Sequence, residues 1–109
     1  MFPKLYIDFL KLYSRGLTTF RGKRELQFFS LEELVQTNID YGIFKWLKGA
    51  VSIAMDGSGN HLIFDMRKGV NENIYGISSG DLDWQEIKWI ANDLHELFMG
   101  TVAIDELLI

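Results

Sequence analysis

Two apolar, partly β-branched runs of five residues, Val51-Ser52-Ile53-Ala54-Met55 and Leu62-Ile63-Phe64-Asp65-Met66, flank the polar stretch Asp56-Gly57-Ser58-Gly59-Asn60-His61. No other feature of this chain restricts its fold so strongly. Runs this short, bounded by turn residues, suit strands better than helices. The stretch between them reads as a hairpin connection, in which Gly57 and Gly59 supply positive φ and Asp56 and Asn60 bond the turn backbone through their side chains. Residues 67–73 form a second polar turn, and a short strand over 74–77 follows it. The segment 51–77 therefore predicts a three-strand antiparallel meander.

On either side the pattern changes. Leu5, Phe9, Leu12 and Tyr13 recur at helical spacing, which predicts a helix over 4–13 that stops at Gly16. Residues 17–29 alternate around a polar turn at Arg21-Gly22-Lys23-Arg24 and read as a second hairpin. Ser30 and Glu33 form a capping box ahead of a short helix reaching about Thr37, and 38–49 is a packed connector. Asp83 stands in the same capping arrangement ahead of Trp84-Gln85-Glu86. The helix it starts carries Ile87, Ile90, Ala91, Leu94, Leu97 and Phe98 on one stripe and ends before Gly100, with Lys88, Asn92, Asp93 and Glu96 on its outer face. The apolar tail 101–109 needs a surface to dock on. The expected class is α+β: a mainly antiparallel sheet, a meander of hairpins, packed against helices as one domain over 1–109.

Length supports a single core and excludes a second domain, since 109 residues with 48% hydrophobic side chains can bury one without staples. The absence of cysteine excludes disulfide scaffolds and Cys-based zinc sites. No apolar run approaches the roughly 20 residues of a membrane span, and no segment reads as a signal peptide. A soluble protein of the reducing cytoplasm is expected.

Motifs that would carry catalysis are weak. Asp56-Gly57-Ser58-Gly59-Asn60 resembles the opening of a calcium loop, but position 6 would be His61 and position 12 Arg67, so a structural turn is the better reading of Asp56, Gly57, Gly59 and Asn60. It also lacks the ending and following helix of a phosphate loop. His61 and His95 have no second ligand at metal spacing and read as surface or boundary residues; no metal or other cofactor is expected. Ser58 lies between glycines without a strand-to-helix elbow, so a nucleophile is not indicated, and the chain is expected not to be an enzyme.

Charge is distributed unevenly. Residues 1–68 hold ten Lys and Arg against seven Asp and Glu, whereas residues 69–109 hold one Lys, Lys88, against eight acids. Asp81, Asp83, Glu86, Asp93 and Glu96 read either as a solvated face, with acids favourably placed at a helix start, or as a patch that steers a basic partner and repels nucleic acid. Trp84 and Trp89 fall off the apolar stripe and are the candidate exposed anchors of such a contact; Trp46 is the third tryptophan.

The order of signals, from the aromatic helix Leu5-Tyr6-Ile7-Asp8-Phe9-Leu10 through Ser30-Leu31-Glu32-Glu33-Leu34-Val35, the strand ending in Asp56-Gly57-Ser58-Gly59-Asn60, a second strand ending in Asp65, and Ile90-Ala91-Asn92-Asp93-Leu94-His95-Glu96-Leu97, resembles the SUKH superfamily over residues 3–98. That resemblance implies an α+β immunity-type domain that binds and neutralises a cognate toxin, with a nuclease a common target. The contact would then be made with a basic toxin domain, Asp81, Asp83, Glu86, Asp93 and Glu96 steering and Trp84 or Trp89 anchoring. A regulatory or scaffolding domain and a small-molecule-binding domain are the other readings. The chain departs from the family in three places. Ser14-Arg15-Gly16 stands where Asn-Gly-Gly is common, and Asn92-Asp93-Leu94 replaces the usual Ser-Phe phrase. The family's usual first helix, ahead of Pro3, is lacking. Core left uncovered by that helix would favour a homodimer or a docked tail, for which Leu107-Leu108-Ile109 is the candidate.

Overall fold

The computed structural model describes residues 2–99 and 104–107, without the side chains of residues 106 and 107. Helix α1 (Lys4–Leu12) leads into strands β1 (Leu17–Arg21) and β2 (Arg24–Phe28). Two short helices follow, α2 (Leu34–Asp40) and α3 (Ile43–Trp46). Strands β3 (Ala50–Asp56), β4 (Asn60–Asp65), β5 (Ile74–Ser78) and β6 (Lys88–Ala91) come next, then α4 (Leu94–Phe98) and α5 (Ile104–Leu107). The six strands form one antiparallel sheet in chain order, β1-β2-β3-β4-β5-β6. The expected α+β class, both hairpins and the meander are present.

Period-two alternation sends successive side chains to opposite faces of the sheet. One face gathers Leu26, Ala54, Leu62, Phe64, Ile74 and Ile90 under Tyr6 and Phe9 of α1, Leu94 and Leu97 of α4 and Ile104 of α5. The other gathers Ala50, Ile63 and Ile77 against Ile43 of α3 and Leu47 just after it, with Ile87 and Trp84 packed alongside. A register shift between Ser52 and Ala54 places consecutive Ile53 and Ala54 in the same cluster, as a bulge does. Aromatic rings tie α1 to the sheet and to α4: Tyr6 meets Phe64 edge-on at 5.3 Å, and Phe9 stands 5.1 Å from Phe28 and 5.8 Å from Phe98 of α4. Gly16 after α1 has φ +88°, and a Cβ there would lie 2.6 Å from the Phe28 carbonyl, so only glycine fits.

The Ser30/Glu33 box closes in both directions: the Ser30 amide donates to Glu33 Oε1 at 2.8 Å, and the Glu33 amide donates to Ser30 Oγ at 3.1 Å. Helix α2 begins just beyond it. Strand β2 stops pairing with β3 beyond the Phe29 amide, which donates to the Ile53 carbonyl. From there Asn38 of α2 takes over. Its Oδ1 accepts the Ser52 amide at 2.7 Å, and its Nδ2 donates to the Ser52 carbonyl at 2.9 Å and to Leu34 O at 2.8 Å. One buried side-chain amide thus stands in for a neighbouring strand.

The long helix expected after Asp83 is not there. Residues 84–86 make one 3₁₀ turn, Lys88–Ala91 is strand β6, and only Leu94–Phe98 is helical. Ile90 and Ala91 belong to the stripe of a notional helix, yet both are buried in the sheet face beside β5. The edge of β5 needs a partner for its backbone groups, and Ile87, Trp89 and Ile90 are residue types that favour strands. The true cap of α4 is Asp93, whose Oδ1 accepts the Glu96 amide at 2.8 Å, while Glu96 accepts the Asn92 amide and side chain, each at 3.0 Å. Asp83 caps only the 3₁₀ turn, through the Gln85 amide. Of the tail, Ile104 is buried in the core; the proposed cover by Leu107-Leu108-Ile109 falls outside the described side chains.

Candidate functional site

Two residues along from the apolar positions Leu26, Ala54, Leu62 and Ile90, and from Gly76 on β5, the same sheet face carries Arg24, Asp56, Asn60, Lys88 and Ser78. Alternation places these residues, one from each of five neighbouring strands, at the end of the core in a staggered polar row: Asn60 pairs with Ser78, but Asp56 stands opposite Leu26 and Lys88 opposite Gly76. Above the row lies an open hollow of about 340 Å³, lined by Arg24, Ser58, Asn60, Gly76, Ser78 and Lys88, with Asp81 and Glu86 of the β5–β6 connection on its wall.

The floor is held by Asp56, whose side chain is 1% exposed and ion-paired with Arg24. It also accepts the amides of Ser58 and Asn60 at 2.8 and 2.9 Å and Asn60 Nδ2 at 2.9 Å. Burial opposes its charge, but the bonds from Asn60, Ser58 and Arg24 outweigh burial and hold the carboxyl below its ordinary range. Its lone pairs are spent on the turn and on Arg24. Gly59 has φ +85°, whereas Gly57 is not at positive φ, so only one of the two glycines supplies the conformation expected of both. Asp105 of α5 accepts the Lys23 amide at 2.7 Å and lies 3.7 Å from Arg24 Nε, fastening the β1–β2 turn beside the hollow.

The structure does not bring the seven expected contact residues together. Asp81 and Glu86 reach the hollow, with Asp83 between them on the same connection. Asp93 and Glu96 lie beyond the far end of β6, roughly 13 Å of strand away, where they cap α4. That separation exceeds the Debye length at physiological salt, so the acids act as two patches. Trp89 pairs with Tyr75 across the strands and alternates with Lys88, which puts it on the opposite face, 46% exposed. Trp84 is half-buried rather than a free anchor: Arg67 stacks 3.7 Å over its ring and its indole N–H donates to Lys48 O at 3.1 Å. Arg24, Ser78 and Lys88 were not among the expected residues. The period-two spacing of Lys88 with Ile90 was the available signal, hidden by the helical reading.

His61 is fully buried, not a boundary residue. Its Nδ1 lies 2.7 Å from Ser52 Oγ, its Nε2 2.9 Å from Ser79 Oγ, and Tyr41 stands edge-on at 5.0 Å. Ser79 Oγ donates to Gly59 O at 2.8 Å, which uses its only hydrogen. The ring must therefore carry its proton on Nε2, and Ser52 donates to Nδ1. Burial lowers its pKa to about 4, against a smaller upward pull from Asp56.

Among the described residues, no group of three or more His, Cys, Asp or Glu is placed to hold a metal ion, and no helix is long and apolar enough to cross a membrane. Six antiparallel strands in chain order, helices on both faces and a polar hollow on one of them define a small α+β domain whose sheet is itself the concave surface. The sequence model of the SMI1 / KNR4 family (SUKH-1) matches residues 1–100, and the chain belongs to that family, within the SUKH superfamily of immunity-protein type domains. No curated protein matches it.

Proposed function

We propose that this chain is a non-catalytic protein-binding domain that neutralises a basic toxin domain, with a nuclease the favoured class. The partner sits over the β6 end of the sheet. Asp81, Asp83 and Glu86 steer it and enter ion pairs at the hollow, while Trp89 on the other side of the same edge strand supplies apolar contact. The observation that supports this reading most is the position of Asp81 and Glu86 on the wall of a hollow lined from β2, β4, β5, β6 and the β3–β4 turn. Carboxylates beside fixed hydrogen-bonding groups suit lysine or arginine side chains better than flat surface acids do. Asp93 and Glu96, committed to capping, add only long-range field.

Co-expression with the toxin domain encoded by the neighbouring gene tests this. Rescue of growth together with a complex that co-purifies is the expected result. Asp81→Lys/Glu86→Lys should then slow association at low salt, with the difference shrinking as salt rises. Equal association rates at low salt would refute the role of the hollow. Absence of rescue by a well-folded protein would refute the immunity reading and leave a regulatory domain in its place.

A further inference from the structure

A second surface, separate from the hollow, has its own chemistry. Residues 25–44 contain four acids, Glu25, Glu32, Glu33 and Asp40, and no lysine, arginine or histidine. Within this stretch Val35 and Ile39 of α2, and Leu31 in the turn that leads into it, follow at intervals of four, exposed by 58%, 53% and 57%. Leu34 and Asn38, on the adjoining line, are the residues that α2 buries. Residues four apart stack along one side of a helix. The apolar line therefore points away from the sheet.

Single exposed apolar residues need no explanation, but three in one line expose roughly 250–300 Å², close to the largest apolar patch of a typical monomer, which is often functional. The next line round the helix is Glu32, Gln36 and Asp40, with Gln36 Nε2 bonded to Asp40 Oδ1 at 2.7 Å. An apolar ridge thus runs beside an acidic one. The cations that bound this stretch are Arg24, ion-paired with Asp56, and Lys45 of α3, whose Nζ lies 4.8 Å over the Trp46 ring; Arg15 comes near the Leu31 end through the Leu31 amide bond to Ser14 O.

We infer that this ridge docks a basic amphipathic helix of another protein, apolar along one line and carrying Lys or Arg on the flank that meets Glu32 and Asp40. A second copy of this chain fits less well. Packed antiparallel, two α2 ridges would set the acidic lines against each other, and the patch is well below the roughly 800 Å² per partner of a stable interface. A single helix of a few turns matches both its length and its charge.

The probe is a synthetic helix of about four turns, leucine along one line and lysine on the flanks, titrated into the isotope-labelled protein and followed by NMR. A glutamate-flanked version serves as control. Saturable shifts should concentrate at residues 31–40 and be absent with the control peptide. Val35→Ser/Ile39→Ser, both exposed positions, should leave circular dichroism unchanged and weaken binding about tenfold, whereas Asp81→Lys/Glu86→Lys should leave binding at α2 in place. Shifts confined to the hollow, no saturable shift, or an affinity indifferent to Val35 and Ile39 would overturn the inference. So would self-association through these residues in sedimentation, which would make the occupant a second copy.

Discussion

Titration of His61 should govern stability between neutral and mildly acid pH. The ring is fully buried, neutral, and held between two serine hydroxyls. Its pKa falls from 6.5 in the unfolded chain to about 4 in the fold, chiefly through burial. Between these values the unfolded chain holds a proton on the ring that the folded chain does not, so stability falls as pH falls. The His61 contribution is complete above pH 6.5 and exhausted below about 4. One unbalanced proton is worth about 1.4 kcal/mol per pH unit, so the window removes about 3 kcal/mol, a large part of what a domain this size possesses. A protonated Nδ1 would face Ser52 Oγ as a second donor, forcing that hydroxyl toward Ala54 O, 3.4 Å away. Asp56 and Asp65, both held below their ordinary pKa, lose their contributions only at pH values under about 4, so the windows separate. Urea unfolding followed by tryptophan fluorescence, in pH steps from 7.5 to 4, would be compared with His61→Gln, which cannot titrate. The difference between the two proteins should shrink by about 3 kcal/mol toward pH 4. A difference constant across the range would refute the reasoning, because the ring would then accept its proton inside the fold without penalty.

Two substitutions test the core directly. The Tyr6 hydroxyl is buried with no hydrogen-bond partner among the described residues, and burial pushes its pKa upward, so Tyr6→Phe should stabilise the protein by about 1 kcal/mol in denaturant unfolding; a loss of stability would show that the oxygen has a partner. Asn38→Asp removes the donors to Leu34 O and Ser52 O and sets a carboxylate against both carbonyls. It should cost about 3 kcal/mol at pH 7 and less as the acid becomes protonated; a deficit independent of pH would argue against that contact.

The β3–β4 hairpin was legible because apolar runs and turn residues point the same way, and the Ser30/Glu33 box because its two bonds are local. The segment after Asp83 was not, since its apolar positions satisfy a helical stripe and a strand followed by a helix equally well. What decides between them is the unpaired edge of β5, a non-local demand absent from any window of sequence. Asp93 and Glu96, spaced as a cap, marked the true helix start within that segment. The same error dispersed the expected contact surface: read as one helix, residues 83–96 form a continuous acidic face, but β6 divides them into two patches and turns Trp89 away from Lys88. His61 shows a different limit. Burial of a polar ring depends on Ser52 and Ser79, nine and eighteen residues away, and neither spacing announces it.

The polar row ties competence to completion. Its members span positions 24 to 88, and each occupies its place only because its strand is in register with the next. A nascent or partly unfolded chain lacking β6 would keep its central hairpin yet have neither Lys88 on the floor nor Glu86 on the wall. Last in the sheet and only four residues long, β6 completes the lining of the hollow, so a molecule whose sheet is unfinished has no complete hollow.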